Sequence, residues 1–224
     1  MSKHIIQAIN FNVSHSESPV LSNLNWTVDE SEWIEIKGEN NSGKTTFLNA
    51  IYGHINKSTG QLFILDFSMT PVAKDDRAGL RRKMGFAKQD SNLLKNKTLR
   101  ANLAMALIAA DRILDQNLEE IIINLAGRFS LKDVLLKEVK DLSYSQQHLA
   151  AIARAIIHKP KLLLIDQSID ILDNVNRNRV IDLIEEYRKT ERMTVISSSI
   201  VGWSSEISNY KSFKLENQSL IATG

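Results

Sequence analysis

The sequence predicts an α/β fold with a mostly parallel sheet, an N-terminal antiparallel β portion and an inserted helical region. A glycine-containing loop at residues 38–46 lies between a strand pattern and a helix pattern. An apolar run at residues 161–166 ends in an acid, which is typical of a strand buried on both faces. Between these stretches, residues 99–136 show helical spacing and no convincing strand. The expected order is therefore an alternation of strands and helices, interrupted by a helical segment.

The first half of the chain begins with strand patterns. Partial apolar alternation predicts strands at residues 5–11 and 21–28, joined by a polar turn. A strand at residues 33–37 leads into the loop, and a helix is expected directly after it. Shorter strands are expected at residues 61–65 and 85–87, the second preceded by a basic segment.

The second half is helical at first and then alternates. Residues 130–133 fit a capping box for a helix within the helical segment. Apolar residues at helical spacing predict a helix at residues 146–158, which Lys159-Pro160 ends. After the apolar run, the expected elements are a helix at 174–189, a strand at 193–196 and a closing pair of short strands within 212–221.

Composition excludes several classes of protein. The net charge of +2 gives no argument for nucleic acid or an anionic membrane surface as a partner. The absence of cysteine excludes disulfides and thiolate metal sites and fits a reducing compartment. The longest clear apolar run, residues 103–110, is too short to span a membrane. The first residues lead into a strand pattern and not a signal peptide. Membrane association is therefore expected only through a partner.

The loop fits the phosphate-binding pattern G-x-x-x-x-G-K-S/T. Gly38 and Gly43 allow the backbone to curl around phosphate oxygens, and the N–H groups at the helix start attract an anion. Lys44 can reach the terminal phosphates, and the Thr45 hydroxyl can bind Mg²⁺. Asp166, at the end of the buried strand, is the usual carboxylate partner for that metal ion. The alternatives are an ordinary glycine-containing turn and an aspartate that only caps the next segment.

The order of motifs resembles an ABC-type nucleotide-binding domain over nearly the whole chain. The motifs are the phosphate loop, Gln89, Leu142-Ser143-Tyr144-Ser145-Gln146-Gln147, residues 151–155, the strand ending in Asp166, and Leu172-Asp173. The resemblance implies a P-loop ABC ATPase core from residues 1–89 and 150–224, with a helical subdomain at 90–149. Short matches at residues 51–53, 65–67, 80–85 and 92–94 are most similar to FtsE, the cell-division member, with lipoprotein-exporting and macrolide-exporting relatives nearby.

The resemblance also implies ATP and Mg²⁺ as cofactors and assigns positions to them. The phosphate-binding positions are Gly38, Asn40, Asn41, Ser42, Gly43, Lys44, Thr45 and Thr46. The metal-binding positions are Thr45, Gln89 and Asp166, and Gln89 also belongs to the catalytic set. Ser143, Ser145 and Gln146 fall in the signature that contacts the ATP of a second subunit. His15 occupies the adenine-stacking position, with a solvated turn histidine as the alternative.

Three positions depart from the family pattern. Gln167 stands where a glutamate normally activates water, and an amide cannot take up a proton, although some GTPases use glutamine to position water. Ile200 stands at the position of a histidine that contacts the γ-phosphate. Tyr144-Ser145 replaces the two glycines of the signature, so a large side chain obstructs the approach to the partner's nucleotide. One change could be neutral drift or a deliberate substitution, whereas three argue for a degenerate ATPase.

These observations leave three hypotheses. The first is a regulatory subunit that binds Mg-ATP and signals to a membrane partner with little turnover. The second is a working ATPase, slow or completed by another subunit, and the third is a scaffold that does not use nucleotide. If the FtsE resemblance holds, we expect a head-to-tail homodimer or heterodimer on the cytoplasmic face of the membrane. An FtsX-like permease would dock a helix between the core and the helical insert, near the segment after Gln89.

Overall fold

The computed structural model describes residues 4–15, 18–54, 57–69, 74–111, 117–200, 202, 207 and 210–223. Within these residues there are two sheets and six α-helices, with two short 3₁₀ helices at Lys132–Val134 and Val139–Asp141. The strands are β1 (His4–His15), β2 (Ser18–Asp29), β3 (Trp33–Lys37), β4 (Ser58–Ile64), β5 (Phe67–Ser68), β6 (Met84–Ala87), β7 (Leu162–Asp166), β8 (Thr194–Ser199), β9 (Tyr210–Glu216) and β10 (Ser219–Ala222). The helices are α1 (Lys44–Ile51), α2 (Lys74–Arg82), α3 (Leu99–Ala109), α4 (Leu118–Arg128), α5 (Tyr144–Ile156) and α6 (Asn174–Thr190).

The two sheets have different pairing. The four-stranded sheet has the order β2-β1-β4-β5 and is antiparallel. The six-stranded sheet has the order β10-β9-β3-β8-β7-β6, and only the β9–β10 pair in it is antiparallel. Because β3, β6, β7, β8 and β9 are parallel, their carboxyl ends lie along one edge of the sheet. In open α/β sheets, ligands bind beyond that edge. The predicted α/β fold, with its antiparallel portion and helical insert, is confirmed.

The central strands are buried on both faces, as their continuous apolar sequence predicts. In β7, Leu162 and Leu164 belong to the core shared with the antiparallel sheet and α1. Leu163 and Ile165, on the opposite face, belong to a second core with helices α3 to α6. The division into a core at 1–89 and 150–224 and a subdomain at 90–149 stays a prediction.

Two local expectations need correction. The capping box at residues 130–133 is wrong, because Ser130 has a φ of 55° and only a 3₁₀ turn follows it. The capping box lies instead at the start of α5, where Ser143 accepts from the Gln146 amide at 3.2 Å and Gln146 Oε1 accepts from the Ser143 amide at 2.9 Å. Helix α2 was not predicted, since the sequence showed only a basic segment there.

Candidate functional site

The loop between β3 and α1 is shaped by two glycines. Gly43 caps α1 with a φ of 101°, a conformation that favours glycine. A Cβ atom on Gly43 would lie 2.3 Å from Val20 Cγ1, and one on Gly38 would lie 2.6 Å from Ser42 Oγ. Neither position has room for a side chain. The loop therefore turns back on itself and presents the first amides of α1, which suits an anion.

The Lys44 ammonium lies inside this loop. Its side chain is buried, and Nζ donates to the carbonyl oxygens of Gly38 and Glu39, each at 2.7 Å. Burial lowers the pKa of Lys44, while the negative charges of Asp166 and Asp170 oppose that shift. The loop thus holds one cation at its centre, where a phosphate chain would lie.

Asp166 and Gln167 stand beside the loop because β7 and β3 flank β8 and end at the same edge. Asp166 is 2% exposed and accepts a hydrogen bond from Ser198 Oγ at 2.7 Å, which fixes the orientation of its carboxylate. Gln167 has a φ of 52° and is 8% exposed, and its amide donates to the Ser198 carbonyl at 3.3 Å. Strand β8 therefore holds the carboxylate of Asp166 through Ser198 Oγ and the backbone of Gln167 through the Ser198 carbonyl.

A cavity of about 770 Å³ opens over the loop. Of the residues predicted from the sequence, Asn40, Asn41, Ser42, Gly43, Lys44, Thr45, Thr46, Gln89 and Gln167 line it together. Four lining residues were missed, namely Ser18, Pro19, Val20 and Gln218. Ser18 and Pro19 lie within the predicted polar turn at residues 14–19, and Val20 directly follows it, so their position after β1 was the available signal. Gln218 had none, since only the pairing of distant strands brings it here.

The oxygen donors near the loop fit a magnesium ion. Thr45 supplies a hydroxyl, Gln89 an amide oxygen and Asp166 a carboxylate. Mg²⁺ prefers hard oxygen ligands and is usually bound by one or two carboxylates plus substrate phosphates and water. Within the described residues there is no group of three or more His, Cys, Asp or Glu side chains that could hold a metal ion. A metal here would therefore need the phosphates as further ligands.

Some of the predicted site residues are not among the described residues that line this cavity, Gly38, Asp166 and Ile200 among them. Ile200, just after β8, is 48% exposed, and its amide donates to Asp170 Oδ2 at 3.1 Å. It lines a different cavity of about 370 Å³ together with Gly38 and Glu39. His15 ends β1, but its side chain lies outside the described part of the structure, so adenine stacking stays a prediction.

The signature residues also lie away from the phosphate loop of their own chain. None of residues 142–147 lines the cavity over the loop. Ser143 and Gln146 bond to each other in the capping box, and Ser145 Oγ is buried with no hydrogen-bond partner. Tyr144 is 66% exposed, and its ring lies edge-on to His148 with the centroids 4.6 Å apart. Contact between these residues and the nucleotide of a second subunit stays a prediction.

His148 gives the fold a specific pH dependence. The side chain is 2% exposed, its Nδ1 has no hydrogen-bond partner, and burial lowers its pKa below the ordinary 6.5. As the pH falls through about 6.5, the ordinary pKa of histidine, the unfolded chain binds more protons at this site than the folded chain. The free energy of unfolding should therefore fall as the pH falls. Urea unfolding at several pH values should show a smaller decrease for His148→Leu than for the wild type. A His4→Gln control, at a half-exposed position, should not reproduce that change; equal slopes for wild type and His148→Leu would contradict the prediction.

Comparison with known proteins identifies the family. Residues 21–170 match the sequence model of a family described as ABC transporter. The chain belongs to the ABC transporter family. This family generally binds ATP with Mg²⁺, and its ATP-binding domains dimerise and associate with membrane permease subunits.

Relatives within the ABC family carry different names. The uncharacterized ABC transporter ATP-binding protein YvcR of Bacillus subtilis is 33% identical over 79% of this chain and 68% of its own length. The lipoprotein-releasing system protein LolD of Buchnera aphidicola is 29% identical over 83% of both chains. The cell division ATP-binding protein FtsE of Streptococcus pneumoniae is 30% identical over 74% of this chain and 71% of its own. Since these identities are so similar, they do not single out the FtsE subtype.

Solved ABC cassettes have the same fold. The dimeric ATP-binding cassette MJ0796 bound to ADP and Pi superimposes with a TM-score of 0.82, at 24% identity, over 96% of both chains. Another dimeric structure of MJ0796 gives a TM-score of 0.78 at 27% identity over 87% of both chains. No helix within the described residues of the present chain is long and apolar enough to cross a membrane.

Proposed function

We propose that this chain is the ATP-binding subunit of a membrane complex, in which bound Mg-ATP gates a membrane partner while hydrolysis is weak or absent. One observation carries the proposal. The glycine-containing loop, its buried Lys44 and Gln167 line the same cavity, and Gln167 has an amide at the position where the family pattern has a general base. The binding half of the site is complete, and the residue that would deprotonate water is missing.

Each group has a defined role in binding. The amides at the start of α1 and the Lys44 ammonium bind the phosphate chain. Thr45, Gln89 and Asp166 would hold Mg²⁺, which when bound neutralises phosphate charge. Ser198 positions Asp166 through the hydrogen bond at 2.7 Å. Gln167 can donate to and orient a water molecule, but it cannot accept the proton that attack on phosphorus releases.

The proposed dimer is head-to-tail, with either a second copy of this chain or a related subunit. Tyr144 supports weak hydrolysis in a homodimer, because its exposed ring occupies the first position of α5, where the signature would approach the partner's nucleotide. Ile200 supports it as well, since its side chain has no group that could bond a phosphate.

The second candidate is a working ATPase, alone or completed by a subunit with better catalytic residues. The intact Lys44, Thr45 and Asp166 favour it over a scaffold that ignores nucleotide. Saturable binding of Mg-ATP, measured by equilibrium titration, tests the nucleotide-dependent candidates, and its absence would leave only the scaffold. The rate of phosphate release by the isolated protein then distinguishes a regulatory subunit with little turnover from a working ATPase.

A groove supports the proposed docking of an FtsX-like permease. A cavity of about 560 Å³ is lined by α2, α3, α5 and the segment after Gln89. Its surface includes Leu94 and Met105, which are 44% and 49% exposed, beside Arg81 and Arg154. An apolar groove of this kind suits an amphipathic helix. The complex would then place this chain at the cytoplasmic face of the cell membrane, and the associated process would be control of cell-wall hydrolysis during division.

Met105→Glu should release the chain from membranes without affecting Mg-ATP binding. A carboxylate in the groove would be desolvated by a docked helix, which costs free energy. The measurement is the fraction of protein that sediments with membranes of the native cell. Ile108→Glu is the matched control, because Ile108 lies on the same helix with 47% exposure but does not line the groove. Equal sedimentation of both variants would contradict docking at this groove.

A further inference from the structure

The topology of the six-stranded sheet indicates which end of the cavity would hold the terminal phosphate of a nucleotide and which end would hold the nucleoside. Strand β3 carries the phosphate loop and lies between β8 and β9. Gln167 and Gln89 follow β7 and β6, so both stand on the β8 side of the loop. The turn between β9 and β10 stands on the opposite side. If the terminal phosphate points towards Asp166 and Gln167, the nucleoside must extend towards the β9–β10 turn.

The lining at that opposite end is sparse. Ser18, Pro19 and Val20 at the start of β2 line the cavity, and Val20 lies against the loop, as its close approach to Gly43 shows. Gln218 from the β9–β10 turn lines it as well. No aromatic ring is present among the described lining residues. Among the described lining residues at this end, Gln218 therefore has the longest polar side chain that a nucleoside could contact.

Gln218 is held in place by β2. The Ser22 amide donates to the Gln218 carbonyl at 3.0 Å, and Ser22 Oγ donates to Gln218 Oε1 at 2.9 Å. The turn itself is tight, with φ values of 47° at Asn217 and 61° at Gln218. Because Oε1 accepts from Ser22, the two hydrogens on Nε2 are left to donate elsewhere. The amide is thus oriented before any ligand binds.

We propose that Gln218 is a nucleoside-binding residue, whose Nε2 donates a hydrogen bond to an acceptor on the ribose or base of the bound nucleotide. This inference rests on the proposed function, since it assumes that the loop binds a nucleoside triphosphate. It assigns to the β9–β10 turn the selection of a nucleotide over a plain polyphosphate. Ser22 acts as a positioning residue that orients the amide.

The test compares a ligand with a nucleoside to one without it. Gln218→Met keeps the length of the side chain and removes the donor. It should weaken Mg-ATP binding roughly threefold to tenfold, the range expected for one neutral hydrogen bond. Binding of Mg-tripolyphosphate should be unchanged. Both affinities are measured by isothermal titration. Repeating the titration with 2′-deoxy-ATP shows which atom accepts the hydrogen bond. The loss of affinity caused by Gln218→Met disappears with this ligand if the acceptor is the 2′-hydroxyl and persists if it lies elsewhere on the nucleoside.

Two controls separate this contact from its alternatives. Asn217→Gly removes the neighbouring side chain, tolerates the φ of 47° at this position and leaves the cavity lining unchanged, so it should bind ATP as the wild type does. Ser22→Ala should give a smaller loss for ATP than Gln218→Met. Unchanged ATP affinity in Gln218→Met, or an equal loss for tripolyphosphate, would overturn the inference. Failure of the proposed function looks different, because the wild type would then bind neither ligand.

Discussion

Lys44→Ala should weaken Mg-ATP binding by roughly 10-fold to 100-fold, the loss expected when a charge-assisted contact with a phosphate is removed. The ammonium is already inside the loop, held by the carbonyl oxygens of Gly38 and Glu39. Phosphate oxygens can replace these neutral acceptors with charged ones.

Thermal unfolding gives an independent measurement of the same effect. A ligand that binds only the folded state stabilises it by RT ln(1 + [L]/Kd), so at a ligand concentration near the wild-type Kd a weaker binder raises the unfolding temperature less. Mg-ATP should therefore stabilise the wild type and leave Lys44→Ala almost unaffected. Lys88→Ala is the control, because it removes the same charge next to Gln89 at a residue that does not line the cavity. Equal stabilisation of all three proteins would show that the loop does not bind the phosphates.

Much of the cavity lining at the loop could be predicted because its residues are close in sequence. The spacing of Gly38, Gly43 and Lys44 is local, and one turn of backbone decides where each group points. Asp166 could be predicted because a continuous apolar run that ends in an acid is a recognisable pattern for a buried strand with a carboxylate at its end. The fold class followed from the same signals, since the alternation of strands and helices implies parallel pairing.

Other features depend on tertiary packing and could not be predicted in this way. Gln218 reaches the cavity only because β9 pairs with β3. The residues of a strand do not by themselves determine which other strand it pairs with. The capping box illustrates a competition between two local signals: Ser130 and Ser143 both suit a helix start, but an αL backbone at Ser130 leaves only a 3₁₀ turn there. Ile200 was placed by pattern alone, and its side chain points into a different cavity.

Phosphate release by the isolated protein should be slow, and restoring the general base alone should not make it fast. Loss of a general base typically costs about 10²-fold to 10⁴-fold in rate. Gln167→Glu would restore a proton acceptor at a residue that is 8% exposed and whose backbone N–H donates to the Ser198 carbonyl. The signature of the second subunit would still carry Tyr144, and position 200 would still lack a hydrogen-bonding side chain. We therefore expect only a small fraction of the possible increase from this single change.

The triple variant Tyr144→Gly, Gln167→Glu, Ile200→His should release phosphate about 10²-fold to 10⁴-fold faster than the wild type, since all three defects are then repaired. Glycine at position 144 removes a side chain that is 66% exposed at the start of α5 and opens the approach to the partner's nucleotide. Adding Lys44→Ala to the triple variant should abolish the gain, which excludes a contaminating ATPase. Full recovery with Gln167→Glu alone would show that Tyr144 and Ile200 are harmless. A wild-type rate near the ~10 per second typical of enzymes would refute the degenerate site. If hydrolysis is impaired at all three positions, the effects of the three substitutions on the rate of phosphate release should be non-additive. Residues that act as one catalytic unit lose and regain activity together.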